Sequence, residues 1–276
     1  MKKPQHGFSL IELAIVLVIV TILIGGLAVP LSAQIEARRI AETRKIMEEA
    51  REALMGYAMT HSCTCQYAST GALSQAPLGP LPQSTCTALC PPSGPSSTTL
   101  KRPYLPCPDT DGNGLENRPG GAECLRPRGY FPWVDLGTAS QDAWGNRLWY
   151  EVTPAFSDAS TGFSNDNGRP PGPLGDTRIC DATGCARNIA INVPVTLVSH
   201  GPNGWGGLNI NGNTLATPTS ADELENNSAQ TNVNNVYISR APSKSDSALG
   251  EFDDLVTWIS TPVLISRVCP TPGGCP

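Results

Sequence analysis

A single acidic side chain stands inside a long apolar run near the N-terminus. The run extends from Phe8 to Val29, and Glu12 is its one charged residue. At about 1.5 Å rise per residue, a helix of this length matches the roughly 30 Å hydrocarbon core of a bilayer. The sequence therefore predicts a transmembrane helix over residues 8–30. An acid is costly in lipid and normally has a partner there, which makes Glu12 a candidate functional residue.

The residues before the apolar run indicate its orientation in the membrane and whether it is retained as an anchor. Lys2 and Lys3 precede the run, and no basic cluster follows it at once. The positive-inside rule therefore predicts a cytoplasmic N-terminus and an outward-facing chain after Pro30. A secretory signal has a shorter apolar core followed by its cleavage site, whereas here Gly7 precedes the run. We expect the apolar segment to be retained as an anchor.

The segment Gly7-Phe8-Ser9-Leu10-Ile11-Glu12 resembles the start of type IV prepilins and of the pseudopilins of type II secretion systems. The resemblance implies that prepilin peptidase cuts after Gly7, removes residues 1–7 as a leader, and acts as the methyltransferase for Phe8. It also implies that Glu12 pairs with the terminal amine of a neighbouring pilin or pseudopilin. A filament assembly platform in the inner membrane would then build the subunits into a filament. The plain alternative is a signal anchor in which Glu12 snorkels to the membrane interface.

The charges left by such a cut indicate what would drive assembly. Cleavage creates a cationic amine on Phe8, with Glu12 about 6 Å deeper along the helix. An acid costs on the order of 3 kcal/mol at mid-bilayer, and contact with an opposite charge returns about 4 kcal/mol at an effective dielectric constant of about 20. Because the two energies are comparable, we expect Glu12 to be only marginally tolerated in a lone subunit and stabilised by a neighbour.

Residues 31–62 are predicted to continue as an amphipathic helix of the head. A mostly apolar stripe recurs at three- or four-residue spacing, formed by Ile35, Arg39, Thr43, Met47, Ala50, Leu54, Tyr57 and His61. Charged residues fill the other faces, and the pairs Glu42 to Lys45 and Glu48 to Arg51 are spaced to meet. We expect the distal half of this helix to pack on a globular head.

All ten cysteines follow the predicted membrane segment, namely Cys63, Cys65, Cys86, Cys90, Cys107, Cys124, Cys180, Cys185, Cys269 and Cys275. An even number confined to the outward part predicts disulfides in an oxidising periplasm. Spacing does not encode the pairing. Bonds between sequence neighbours, namely Cys107–Cys124, Cys180–Cys185 and Cys269–Cys275, are one hypothesis among the possible pairings. A zinc site built from the first four cysteines is the alternative, although their spacings match no standard zinc finger.

The outward part is predicted to be a loop followed by a strand-rich head. Residues 63–106 are rich in Cys, Pro, Ser and Thr and predict a long loop. Residues 107–276 hold short strand candidates separated by Asn-Gly turns, at 147–152, 188–192, 195–199, 233–239, 255–260 and 263–268. A long N-terminal helix packed on an antiparallel β-sheet gives an α+β fold, pilin-like, with disulfide-rich loops.

Residues 142–150 carry a further likeness to the pseudopilin head. Their sequence begins Asp-Ala-Trp-Gly-Asn and is similar to the family's Asp-Pro-Trp-Gly-Asn segment, which leads into a strand. Ala143 stands where that pattern has proline.

A calcium site is implied by two more family-like stretches. Residues 199–207 and 251–258 are similar to a loop and to an Asp-Asp ending that build a calcium site in major pseudopilins. The resemblance implies that Asp253 and Asp254 are calcium ligands. An insertion at residues 208–250 separates the two stretches and has no counterpart in that pattern.

A second calcium loop is predicted at residues 109–114. Asp109, Asp111 and Asn113 offer oxygen ligands at alternate positions, and a glycine stands where a calcium loop turns sharply. Gly120 occupies the twelfth position, where an EF-hand has a bidentate glutamate, so Glu116, Asn117 or Glu123 would have to substitute. A simple Asp/Asn/Gly turn is the alternative.

Composition argues against two classes of function. The net charge is -5 and the basic residues of the head are scattered, so we expect no nucleic-acid partner. Only two histidines remain after the predicted cut, and the chain has no Gly-x-Ser-x-Gly elbow and no phosphate-binding glycine loop after a strand. We expect a protein that is not an enzyme and has no organic cofactor.

The sequence thus predicts a structural subunit of a type IV pilus or a type II secretion pseudopilus. We expect a single-pass inner-membrane protein with a periplasmic head, which then enters the filament. A second hypothesis is a minor pilin at a filament tip, acting as an adhesin or binding module through its cysteine-rich loop or its insertion. A membrane-anchored periplasmic enzyme is the third.

Overall fold

The structure is a computed structural model that describes the backbone of residues 9–67, 73–76, 79–81, 99–159, 161–163, 175–227 and 235–269. Side chains are described over the same ranges except at 24–31 and 62–101. The predicted leader, Phe8 and the cysteines at 86, 90 and 275 therefore lie outside the described residues, as do the side chains of Cys63 and Cys65. The chain divides into two units, Met1–Glu42 and Thr43–Pro276.

Helix α1 extends over Leu10–Thr60 and crosses the boundary between the two units. In the first unit, the helix surface is mostly apolar and exposed over residues 10–23, and charged residues follow at 36–42. The hydroxyl of Thr21 donates to the carbonyl oxygens of Leu17 and Val18 at 2.9 Å. Across the described parts of the chain, no helix combines the length and the hydropathy that crossing a membrane requires.

In the second unit, α1 presents a buried stripe with the predicted spacing. Its buried members include Thr43, Met47, Ala50, Leu54 and Tyr57. The stripe does not extend into the first unit, where Ile35 and Arg39 are exposed. Glu48 pairs with Arg51 as predicted, whereas Lys45 lies 3.5 Å from Glu49 instead of pairing with Glu42. Both three- and four-residue spacings bring helix side chains together, so the i,i+4 partner replaces the predicted one.

The region predicted as a long loop contains strands. Four strands form an antiparallel sheet in the order β3-β2-β1-β4, namely β1 Ser62–Tyr67, β2 Leu73–Ala76, β3 Gly79–Leu81 and β4 Thr99–Pro103. The prediction of a loop over 63–106 was wrong for these segments. Strand pairing uses backbone groups, so it does not need the alternating side-chain pattern on which the prediction depended.

Two further sheets build the rest of the head. An antiparallel sheet in the order β11-β9-β6-β5 consists of β5 Arg128–Tyr130, β6 Trp149–Val152, β9 Val195–Ser199 and β11 Leu255–Ile259. A second sheet in the order β10-β7-β8 consists of β7 Thr177–Cys180, β8 Asn188–Val193 and β10 Val236–Ile238. The α+β class is confirmed, and β10 differs from the expected pattern because it pairs with β7 in parallel.

Four shorter helices complete the described elements, namely α2 Trp133–Leu136, α3 Pro154–Ser157, α4 Ala221–Asn227 and α5 Thr261–Val268. The strand predicted at 263–268 was wrong, because these residues form most of α5. Pro262 stands in the first turn of α5, where proline favours a helix start, and Leu264 is fully buried. Packing and this start signal outweigh the strand preference of the β-branched residues.

The β11-β9-β6-β5 sheet and the β10-β7-β8 sheet share an apolar core. Trp149 and Val198 from one sheet pack with Ile179, Val193 and Tyr237 from the other, and all five are buried. Val256 and Trp258 of β11 pack against this core, and β11 pairs with β9 so that Leu255 lies opposite Ser199.

The turn before β6 connects three elements. Asp142 accepts hydrogen bonds from the backbone N–H groups of Trp144 and Asn146 at 2.9 Å, and from the Ser199 hydroxyl of β9 at 2.7 Å. The backbone N–H of Ala143 donates to Thr43 Oγ1 of α1 at 3.1 Å. A proline has no N–H to donate, so the alanine at this position allows a hydrogen bond that the family's pattern excludes.

Two disulfides lie among the described side chains. Cys107–Cys124 and Cys180–Cys185 are bonded, which confirms two of the closures between sequence neighbours. Cys269 is also disulfide-bonded. Its proposed partner Cys275 lies outside the described residues, so that pairing stays a prediction.

Candidate functional site

At the start of α1, Ser9 and Glu12 form a reciprocal capping box. The Ser9 N–H donates to Glu12 Oε2 at 2.9 Å, and the Glu12 N–H donates to Ser9 Oγ at 3.3 Å. Both side chains are exposed. The Glu12 carboxylate is therefore turned back toward the first residues of the helix, where the helix dipole also favours a negative charge.

A continuous apolar surface follows Glu12 along α1. Its large side chains are each at least 41% exposed, and they are Leu13, Ile15, Val16, Leu17, Val18, Ile19, Val20, Ile22 and Leu23. Soluble monomers rarely expose apolar patches of this extent, and such patches mark surfaces that lipid or another protein covers.

A second candidate site lies in the head, where three acidic residues converge. Glu223 of α4 joins Asp253 and Asp254, which stand immediately before β11, and one carboxylate oxygen from each lies within 4.8 Å of the others. Glu223 and Asp254 are buried, and Asp253 is partly buried. The structure thus brings the two predicted ligands together and adds a third, Glu223.

Hydrogen bonds hold this acidic cluster of Glu223, Asp253 and Asp254 in place. Glu223 Oε1 accepts the N–H of Asp253 at 3.0 Å, and Asp253 Oδ2 accepts the N–H of Asn203 at 3.2 Å. Asp254 Oδ2 accepts a hydrogen bond from Asn226 Nδ2 at 2.9 Å. Glu223 Oε2 and Asp253 Oδ1 are buried and have no hydrogen-bond partner among the described residues. Burial of anionic oxygens without donors is costly, so this arrangement favours a bound cation.

The pKa shifts within the cluster also favour a bound cation. Burial, together with the charge of Glu223, raises the pKa of Asp253 to about 7. Burial and the charge of Asp254 also raise the pKa of Glu223. A cation placed among these carboxylates would relieve their repulsion and favour their ionised forms.

The loop after β9 lies directly against the cluster. Gly201 has a φ of 58°, and a β-carbon at this position would lie 2.3 Å from the carbonyl oxygen of Asp253. Glycine alone combines this positive φ with such a close approach. The family-like stretch 199–207 therefore meets Asp253 in the folded chain, although the insertion separates them in sequence.

The donor set of the cluster fits calcium. Ca²⁺ binds six to eight oxygen ligands at roughly 2.3–2.6 Å, so oxygens that share one ion lie within about 5 Å of one another. The three carboxylate oxygens meet this condition. Carboxylates also favour hard cations over the softer transition metals.

The segment predicted as a second calcium loop uses its oxygens differently. Asp109 is fully buried, and its carboxylate accepts the backbone N–H groups of Asp111, Gly112 and Gly114 at 3.0, 2.7 and 2.7 Å. Asp111 accepts hydrogen bonds from the backbone and the side chain of Asn113. These bonds are those of an Asp/Asn/Gly turn, and calcium binding by Asp109, Asp111 and Asn113 stays a prediction.

The roles of Ser9 and Glu223 in these sites were not predicted from the sequence. The Ser-x-x-Glu spacing of Ser9 and Glu12 is a signature of a capped helix start, from which the capping box can be predicted. Glu223 has no comparable signal, because it lies 30 residues before its hydrogen-bond partner Asp253, within an insertion that matches no pattern.

Comparison with known proteins identifies the N-terminal segment. Residues 2–28 match the family model described as the prokaryotic N-terminal methylation motif. The chain carries the prepilin-type signature. This signature is that of type IV pilins and pseudopilins, and it indicates a structural subunit rather than an enzyme. No curated protein and no solved structure matches the chain significantly.

The prepilin-type signature includes every residue to which the sequence assigned a role in processing or assembly. Gly7, Phe8 and Glu12 all fall within the matched residues 2–28. The predicted resemblance is therefore confirmed for this segment, and processing by prepilin peptidase and assembly with other pilins are what the signature implies.

Proposed function

We propose that the chain is a pilin-like structural subunit, processed after Gly7 by prepilin peptidase and assembled through its N-terminal helix into a type IV pilus or a type II secretion pseudopilus. The observation that carries the proposal is the methylation motif at residues 2–28, whose Glu12 adjoins the exposed apolar surface of α1. Lipid of the inner membrane covers this surface before assembly, and neighbouring helices cover it in the filament. The disulfide-bonded head is then periplasmic.

Glu12 sets the register of assembly in this proposal. The capping box holds its carboxylate at the start of α1. We expect a neighbour's amine to bind there. Contact between the carboxylate and the Phe8 amine of the neighbour is worth about 4 kcal/mol at an effective dielectric constant of about 20. The attraction of Glu12 to its own Phe8 amine, about 6 Å away along the helix, is present in a lone subunit as well, whereas the contact with a neighbour exists only after assembly.

Replacing Gly7 is expected to stop processing. In Gly7→Ala, the added β-carbon restricts the backbone next to the scissile bond, so the peptidase should leave most of the chain uncut. When the variant is produced together with a prepilin peptidase, its intact mass should exceed that of the processed chain by the whole leader. The mass should also lack the methyl group expected on Phe8.

Gly56→Ala is the matched control for this experiment. Gly56 lies within α1, and a β-carbon there would meet no atom within 4 Å. Its processed mass should match that of the processed wild type, apart from the substitution itself. Normal cleavage of Gly7→Ala would show that the peptidase does not recognise this position.

We propose as a second function that the acidic cluster binds Ca²⁺ and so stabilises the head. The specific observation is the pair of buried oxygens without a partner, Glu223 Oε2 and Asp253 Oδ1, in a group of three carboxylates. Glu223, Asp253 and Asp254 would be the ligands, and the ion would neutralise their charges. Calcium then connects the insertion, through α4, to the start of β11.

Removing calcium is expected to lower the melting temperature of the full chain. An ion at 100 times its dissociation constant stabilises the folded state by about 2.7 kcal/mol. For a head of this size, that corresponds to a decrease of about 5–10 °C when a chelator removes the ion. Glu223→Gln should lose most of this calcium-dependent shift because the amide carries no charge. Differential scanning calorimetry with calcium and with chelator measures both effects.

Glu225→Gln on the same helix is the control and should keep the full shift. In chelator, Glu223→Gln should melt at or above the wild-type temperature, since the substitution removes the repulsion between Glu223 and the two aspartates. If Glu223→Gln instead melts lower by the same amount with calcium and with chelator, the cluster is a hydrogen-bonded network and not a cation site.

A further inference from the structure

Helix α4 supplies Glu223 to the acidic cluster, and the preceding residue, Asp222, is bound by Thr183 and Arg240 from outside the helix. Thr183 donates both its backbone N–H and its hydroxyl to Asp222 Oδ1, each at 2.8 Å. Arg240 Nε donates to Asp222 Oδ2 at 2.6 Å. Asp222 is 5% exposed, so charge-assisted hydrogen bonds from two sides fix a buried carboxylate.

Thr183 lies in a short hairpin between β7 and β8 that a disulfide closes. The disulfide joins Cys180 and Cys185, at a sequence separation of 5. The N–H of Cys185 donates to the carbonyl oxygen of Ala182 at 3.0 Å, and Cys185 has a φ of 53°. A residue with a side chain rarely adopts this left-handed conformation, so the disulfide helps to hold the turn that presents Thr183.

The position of Glu223 depends on these contacts. Helix α4 has 7 residues, and a helix this short has little stability of its own. Successive helix residues point about 100° apart, so Asp222 contacts the hairpin while Glu223 faces the cluster. At the other end, Asn226 accepts the N–H of Ile238 at 2.7 Å and donates to its carbonyl oxygen at 3.0 Å. Releasing Asp222 would therefore leave the backbone of α4 held mainly at its C-terminal end, and Glu223 would depend on the hydrogen bonds of its own side chain to Asp253 and Asn203.

We propose that the hairpin closed by Cys180–Cys185 positions Glu223 for calcium, with Thr183 and Asp222 as positioning residues that set the affinity of the site. The inference rests on the calcium site proposed above. Neither positioning residue contacts the ion. They act by holding the third carboxylate where it can bind, because ligands that are fixed in advance lose less freedom on binding.

The test compares calcium affinities of the full chain in detergent, measured by isothermal titration calorimetry with Ca²⁺. Thr183→Val keeps the shape of the side chain but removes the hydroxyl, and it should weaken binding about fivefold, the order expected for one hydrogen bond. Thr183→Ser keeps a hydroxyl and should bind nearly as tightly as the wild type. Cys180→Ser/Cys185→Ser opens the hairpin and should weaken binding about tenfold or more.

Thr161→Val is the matched control, because Thr161 donates a similar hydrogen bond to Asp158 at 3.1 Å outside the hairpin and α4. It should leave calcium affinity unchanged. The melting temperature without calcium is the structural readout, and Thr183→Val should change it by no more than a few degrees. If the wild type binds calcium and Thr183→Val binds it with the same affinity, the positioning role alone is overturned. Absence of calcium binding by the wild type overturns the calcium site itself and this inference with it.

Discussion

Filaments built from Glu12→Gln subunits are expected to be at least tenfold less abundant than wild-type filaments. Glutamine keeps a side-chain oxygen that can accept the Ser9 N–H, so the start of α1 stays capped. It carries no charge, and the contact with a neighbour's Phe8 amine therefore loses about 4 kcal/mol of attraction. The cost of an acid in lipid, roughly 3 kcal/mol, falls on the lone subunit as well, so its removal does not offset this loss on assembly. A net loss of about 1.4 kcal/mol per contact already weakens association tenfold.

Sheared filaments and whole cells, quantified with an antibody against the head, measure this effect. The intact mass of the cell-associated fraction should show normal cleavage and methylation, which separates assembly from processing. Glu42→Gln is the matched control because Glu42 is also an exposed acid of α1. It should assemble at the wild-type level.

Ser9→Ala separates the two roles of Glu12. This variant removes the hydroxyl that accepts the Glu12 N–H but keeps the charge. A lost cap costs about 1 kcal/mol of helix stability, so we expect a smaller decrease in filaments than for Glu12→Gln. If Ser9→Ala is the more severe variant, or if Glu12→Gln assembles normally, the charge of Glu12 does not set the register.

Local patterns in the sequence predicted the elements whose determinants are local. The apolar and then amphipathic periodicity predicts a helix that the structure shows as α1, Leu10–Thr60. Runs of β-branched residues between Asn-Gly turns predict β9 and β11 close to their observed bounds. The same preference gave the wrong element at 263–268. There, the proline of the first turn and the burial of Leu264 specify a helix.

The head site was only partly predictable, because its ligands come from distant segments. Asp253 and Asp254 were predicted by their likeness to a family ending. On a regular strand, adjacent side chains point to opposite faces, but these two residues precede β11 and both contribute to the cluster. Glu223 reaches them only after the insertion has folded back. No spacing rule links residues whose contact depends on how α4 and β10 pack together.

The buried carboxylate of Glu151 has partners in both of the sheets that share the apolar core. Arg128 of β5 lies with its Nε 3.0 Å from Glu151 Oε2 of β6, and the Glu151 side chain is 3% exposed. Thr177 of β7 donates its hydroxyl to Glu151 Oε1 at 3.0 Å, and the Tyr237 hydroxyl of β10 donates to Oε2. Burial and the Glu151 charge raise the pKa of Tyr237, so its hydroxyl remains a neutral donor. Glu151 thus has hydrogen-bond donors from both sheets.

Glu151→Ala is expected to destabilise the head by about 3–5 kcal/mol, the cost of leaving a buried charge without its partner. Most of this cost comes from the Arg128 guanidinium, which loses its ion pair with Glu151 but stays largely buried. For a head of this size, the loss corresponds to a decrease in melting temperature of roughly 6–20 °C. Urea denaturation followed by tryptophan fluorescence measures the free energy of unfolding directly.

Glu49→Ala is the contrasting control, because Glu49 pairs with Lys45 at 3.5 Å on an exposed helix surface. Such surface pairs contribute about 0–1 kcal/mol, so this variant should remain close to the wild type. The double variant Arg128→Met/Glu151→Leu removes both charges and should be less destabilised than Glu151→Ala alone. Equal destabilisation of the single and double variants would mean that the lost hydroxyl contacts of Thr177 and Tyr237, and not the broken ion pair with Arg128, account for the effect.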